Sequence, residues 1–90
     1  QMDRLRRQLS GLEKRVQEVE RSLNAATQRL DELQQRLSDP GLYLNQRETY
    51  ETVQTHKQVK QEVKELTELW ESLALELEEK KRAGLVEIPS

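Results

Sequence analysis

An unbroken heptad runs through the first 37 residues. Met2, Leu9, Val16, Leu23, Leu30 and Leu37 take one apolar position of the repeat, and Leu5, Leu12, Val19, Ala26 and Leu33 take the other. A helix patterned this strictly carries a narrow apolar seam that must be buried against another helix. The same chain supplies a partner. Beyond Asp39-Pro40-Gly41 a second seam follows, through Val59, Val63, Leu66, Trp70, Leu73 and Leu77. Two helices of similar length with a breaker between them predict an all-α fold, a two-helix antiparallel coiled-coil hairpin. Such a rod has a surface and two ends but almost no interior.

Composition agrees with a rod. Ninety residues allow one domain, 36% of them are charged, and there is no Phe and no Cys. A globular core needs more bulky apolar residues than this, whereas a hairpin needs only a line of them. The missing cysteines exclude a disulfide framework and a thiolate metal site, and suit a reducing compartment. No apolar run approaches the ~18 residues of a membrane span, and no signal peptide is visible, so no membrane contact is expected. The start at Gln1 reads as a piece of a longer protein. Residues 1–37 hold eight Lys/Arg against six Asp/Glu, while 38–90 hold seven against eleven. The two halves are mildly complementary, which favours their pairing.

The expected hairpin covers residues 1–83, with a tail over 84–90. The first helix is predicted over about 2–38, ended by Pro40, which lacks an N–H and biases Asp39 away from helical angles. The turn takes 39–44, with Gly41 permitting a sharp reversal and Leu42 and Tyr43 folding back over the end of the seam. Asn45 is the expected N-cap of a second helix over about 45–83, with Glu48 completing a capping box. Gly84 is read as the residue just past its end. Tyr50, Val53, His56 and Val59 are spaced three apart. That spacing predicts a local overwinding at the tip, because the strict heptad positions there are the polar Thr49 and Thr52. Pairing Leu9 with Leu77, Val16 with Trp70, Leu23 with Val63 and Leu33 with Val53 keeps one constant total of residue numbers. Leu37 with Tyr50 misses that total by one.

No catalytic constellation is present: no glycine-rich phosphate loop, no nucleophile elbow and no metal-ligand spacing. No catalytic residue, metal ligand or cofactor is therefore assigned. His56 reads as packed between helices. Two basic groups stand out. Lys57, Lys60 and Lys64 are spaced along one face of the second helix, with Arg21 and Arg29 of the first helix expected at the same height. Arg4, Arg6 and Arg7 are expected to meet Lys80, Lys81 and Arg82 at the open end, with Arg6 close to Lys81. Both groups are candidate phosphate contacts. Leu69 and Leu75 lie off the seam, and Leu75 should be exposed.

The turn Leu37-Ser38-Asp39-Pro40-Gly41-Leu42-Tyr43, followed by Leu66-Thr67-Glu68-Leu69-Trp70-Glu71-Ser72-Leu73, resembles the C-terminal domain of ABC-F ATPases of the Uup branch. The resemblance spans about Leu12 to Glu79. It implies a domain that follows the second of two ATPase domains in a soluble, cytoplasmic, non-transporter ABC protein working in translation. It also implies a hairpin that contacts DNA or ribosomal RNA. The ATP-binding residues of that family lie outside this segment, so the segment itself is not an enzyme. The alternative expectation is a protein-interaction or structural arm, packing on the parent ATPase domains or associating weakly with itself.

Overall fold

The computed structural model describes residues 2–87. Helix α1 spans Met2–Leu37, a short 3-10 turn spans Pro40–Leu44, and helix α2 spans Gln46–Glu87. The two long helices pack against each other as a hairpin measuring 69 × 15 × 15 Å. The expected all-α antiparallel hairpin is the observed fold.

The seam of α1 can be read from burial alone. From Asp3 to Leu37, the residues that are buried or half-buried are Leu5, Leu9, Leu12, Val16, Val19, Leu23, Ala26, Leu30, Leu33 and Leu37, and all others are exposed. Ala26 is fully enclosed. Each residue in this row sits three or four positions from the next, so one stripe of the helix meets α2 and the rest meets water.

The seam of α2 departs from expectation at both ends. It runs through Thr49, Thr52, His56, Val59, Val63, Leu66, Trp70, Leu73, Leu77, Lys80 and Gly84, each of them buried or half-buried. The heptad is therefore occupied without a break through the tip, with Thr49 and Thr52 rather than Tyr50 in the seam and Val53 half-buried beside it. Tyr50 lies outside the seam at 67% exposure, while Thr52 is buried. A supercoil holds its 3.5-residue period over many turns, so the polar threonines fall in the seam by position. Threonine tolerates this because its hydroxyl can bond within its own helix or turn. The Oγ1 of Thr49 bonds the carbonyls of Leu42 and Asn45, both at 2.9 Å. The small threonines leave a shallow groove of about 300 Å³ beside Leu33, Arg36, Glu48, Glu51, Thr52 and Thr55.

The register moves with the seam. Leu5 lies against Gly84, where a Cβ would come to 2.6 Å from Leu5 Cδ2. Counting inward from that contact pairs Leu12 with Leu77, Val16 with Leu73, Val19 with Trp70, Ala26 with Val63, Leu30 with Val59 and Leu37 with Thr52. Two cross-helix contacts agree with this alignment: Trp70 Nε1 to Glu20 Oε1, and Arg29 to Glu62, both at 2.9 Å. The pairing of Val16 with Trp70 and Leu23 with Val63 is thus displaced by one seam step. A 3-4 repeat offset by one step still aligns half of its layers. The two ends of α2 decide between the offsets, and sequence reasoning had placed Tyr50 inside the seam and Gly84 beyond the helix.

Gly84 is helical rather than terminal, and α2 continues to Glu87. Its missing side chain makes room for Leu5. Of the expected tail, residues 84–87 are helical, while Ile88, Pro89 and Ser90 lie outside the described residues.

The turn is built from caps. Ser38 and Asp39 donate backbone N–H bonds to Gln34, Gln35 and Arg36, closing α1. The Tyr43 hydroxyl donates to the Leu37 carbonyl, another of the acceptors orphaned at a helix end. Asp39 caps the 3-10 turn by accepting from the Gly41 N–H at 3.0 Å, with Pro40 in the first position. No glycine among the described residues has positive φ, so Gly41 does not supply a left-handed reversal. Leu42 folds back and is buried, but Tyr43 remains half exposed. Asn45 caps α2 through Oδ1 to the Glu48 N–H at 3.1 Å. The reciprocal half of the capping box is replaced, because the Asn45 N–H donates to the Leu42 carbonyl.

The two helical glycines should respond oppositely to added side chains. Gly11 has no atom within 4 Å of a built Cβ. Gly11→Ala should therefore raise stability by about 0.5–1 kcal/mol through helix propensity. Gly84→Ile drives a branched side chain into Leu5 and should lower stability by about 1–3 kcal/mol. Urea unfolding followed by circular dichroism measures both, and a Gly84→Ile variant as stable as the parent would refute the Leu5–Gly84 register.

Candidate nucleic-acid interface

Flank assignment follows from the seam. Glu62 receives Arg29 across the hairpin. Lys60 and Lys64 each stand two residues from Glu62, about 200° around α2. The two lysines therefore face the opposite flank from Arg29. The structure does not bring Arg29 into the lysine group, and its guanidinium is already engaged. With both partners about half exposed, that pair is worth about 0–1 kcal/mol. Arg21 points away from the seam as well, fourteen residues after Arg7 and seven after Lys14, in one outer row of α1.

Lys57, Lys60 and Lys64 do form a group. All three are exposed, and none makes an ion pair within 4.0 Å among the described residues. They are neighbours at i,i+3 and i,i+4, where like charges repel by a few tenths of a kcal/mol per pair. An anion resting on this flank would relieve that repulsion.

At the open end the expected cluster is partly dismantled. Lys80 is half-buried in the seam. Lys81 lies 3.8 Å from Glu13 across the hairpin. Arg82 lies 3.7 Å from Glu78 on its own helix. Arg4, Arg6 and Arg7 are exposed. The shifted register sets the carboxylate of Glu13 within reach of Lys81.

Sequence reasoning missed Tyr50. It stands seven residues before Lys57 and fourteen before Lys64, so the three share one row of the heptad. Continuing the repeat through Thr49 and Thr52 would have placed Tyr50 on this row. Expecting an aromatic ring to be buried hid it. Other exposed apolar groups are Tyr43, Leu44, Leu69 and Leu75, the last as expected. Among the described residues no group of three or more His, Cys, Asp or Glu could hold a metal ion. His56 is half-buried in the seam between the helices. No helix among the described residues is long and apolar enough to cross a membrane.

The described residues form a two-helix rod with a capped 3-10 tip. The chain belongs to the ABC transporter C-terminal domain family, whose model matches residues 4–75. No curated protein and no solved structure matches the chain.

Trp70, prominent in the sequence pattern, is a packing residue with one polar tie. Its ring is half-buried in the seam and its Nε1–H reaches Glu20. Trp70→Ala should lower stability by about 2–3 kcal/mol, less than the ~3–5 kcal/mol of a fully enclosed ring. Trp70→Phe should cost under about 1 kcal/mol, since it keeps most of the packing and loses one exposed hydrogen bond. Thermal melting of the two variants checks this, and equal losses would place the weight on Glu20 rather than on the ring.

Proposed function

We propose that this chain is the C-terminal arm of a soluble, cytoplasmic ABC-F-type ATPase of the Uup branch, and that it contacts DNA or ribosomal RNA. The family supports an appendage to ABC-type ATPase domains. The observation that carries nucleic-acid contact is the flank of Lys57, Lys60 and Lys64, exposed and without ion-pair partners among the described residues. Arg4, Arg6 and Arg7 offer a second, weaker site at the open end, with Lys80, Lys81 and Arg82 contributing what their own contacts leave. Arg21 serves an outer row and Arg29 is held by Glu62, so both are peripheral to the lysine flank. The alternative, a protein-interaction arm that packs on the parent ATPase domains or associates weakly with itself, is favoured by one observation. Leu44 and Leu75 are 90% and 60% exposed.

The net charge of −2 confines the isolated hairpin to weak, sequence-tolerant binding, in the non-specific range of roughly 10⁻⁴–10⁻⁶ M. Three lysines on phosphates should give a log–log salt slope of about −3 on duplex DNA. Replacing Lys57, Lys60 and Lys64 together with Glu should abolish binding to labelled DNA and RNA at low salt while leaving helicity unchanged. Binding that survives this triple replacement, or no binding by the parent chain at any concentration, would hand the function to the protein-interaction reading.

A further inference from the structure

We infer that the Tyr50–Lys57–Lys64 row, with Lys60 beside it, is a binding strip for unpaired nucleotides, in which Tyr50 stacks on a base while the lysines take the backbone. The inference rests on the nucleic-acid reading above and narrows it from nucleic acid in general to single strands and loops. The heptad puts Tyr50, Lys57 and Lys64 on one line, about 10 Å apart at 1.5 Å per residue. Tyr50 is two-thirds exposed because Thr49 and Thr52 occupy the seam on either side of it. An aromatic face in line with cations is the minimal platform for a single strand: the ring supplies stacking that every base can accept, and the cations follow the phosphates. A duplex has its base faces covered along its length, so it can use the lysines but not the ring.

The strip has defined ends. The next residues of the same row toward the open end are Glu71 and Glu78, so the charge changes sign past Lys64. From Tyr50 to Lys64 the strip is about 21 Å long, or about six nucleotides at the 3.4 Å axial rise of one strand. Two carboxylates of this half of the hairpin accept from glutamine amides of their own helices. Asp31 accepts from Gln35 at 3.3 Å, and Glu65 accepts from Gln61 at 3.1 Å. Both keep their charge, but none of the three lysines pairs with a carboxylate within 4.0 Å among the described residues, so an outside anion can reach them.

Fluorescence anisotropy at low salt separates the claims, using a labelled dodecamer of uridylate and a labelled twelve-base-pair DNA duplex as probes against the full 90-residue chain. Tyr50→Ala should weaken single-strand binding by about 5- to 100-fold and leave duplex binding within about twofold. Tyr50→Phe should retain single-strand binding, since the ring face and not the hydroxyl is used. The exposure of Tyr50 keeps these variants folded, and their melting curves should match the parent's. If Tyr50→Ala leaves single-strand binding intact while the triple lysine replacement abolishes it, the stacking role is refuted and nucleic-acid contact stands. Equal weakening of both probes by Tyr50→Ala likewise refutes the preference for unpaired bases. If neither probe binds the parent chain, both readings fall and the exposed tip belongs to a protein partner.

Discussion

Mutual burial along a single seam is the constraint on which everything else here depends. Each helix of this rod has one neighbour, so few side chains are surrounded on all sides as in a globular core. Ala26, the smallest seam residue of α1, is fully enclosed. Leu12, Thr52, Val59 and Leu73 are buried, the other larger seam residues are half-buried, and stabilisation is spread over many similar layers. No single layer is indispensable, which is why threonines, a histidine, a lysine and a glycine can occupy seam positions without breaking the repeat. Continuity matters more than the apolarity of any one position.

The fold was legible because periodicity survives local irregularity. The α1 seam is the one read from the sequence, residue for residue over the described positions, and the Asp39-Pro40 break falls where the helix ends. The register was not legible in the same way. A repeat of three and four resembles itself when displaced by one step, so the apolar residues of the shaft admit two alignments. The discriminating residues are Thr49, Thr52, Lys80 and Gly84, which hydrophobicity discards. Gly84 shows the difficulty most clearly. A glycine after a run of cations is an ordinary sign of a helix end, yet here it is a close contact inside a helix, because Leu5 needs the room.

The candidate site inherits that error in a specific form. Proximity was judged from height along the rod, which a hairpin does bring together. Flank matters equally. Arg29 shares the height of Lys60 but sits on the other side, where Glu62 engages it. Two residues of offset along a helix turn a side chain through more than half a revolution. Charge clusters in coiled coils therefore have to be counted by heptad row. Counted so, α2 carries aromatic, then cationic, then acidic character along one row, and the hairpin presents a polarised strip rather than an evenly mixed surface.

That polarity follows from the same seam that makes the fold. Because α1 and α2 are committed to each other along one stripe, the outward rows are free of packing demands, and their composition can be set by partners. The cross-helix pairs Arg29–Glu62 and Glu13–Lys81 sit on flanking positions and add little energy, but they help to fix which helix faces which. Cations used in that way are unavailable to an outside anion. The lysines of the Tyr50 row are not so used, and they lie nearer the capped tip than the open end. In a rod 69 Å long, a contact placed toward the tip lies far from whatever the open end adjoins. On the proposed reading the arm works by reach: stiff helices set the distance, and the row near the tip sets what is touched.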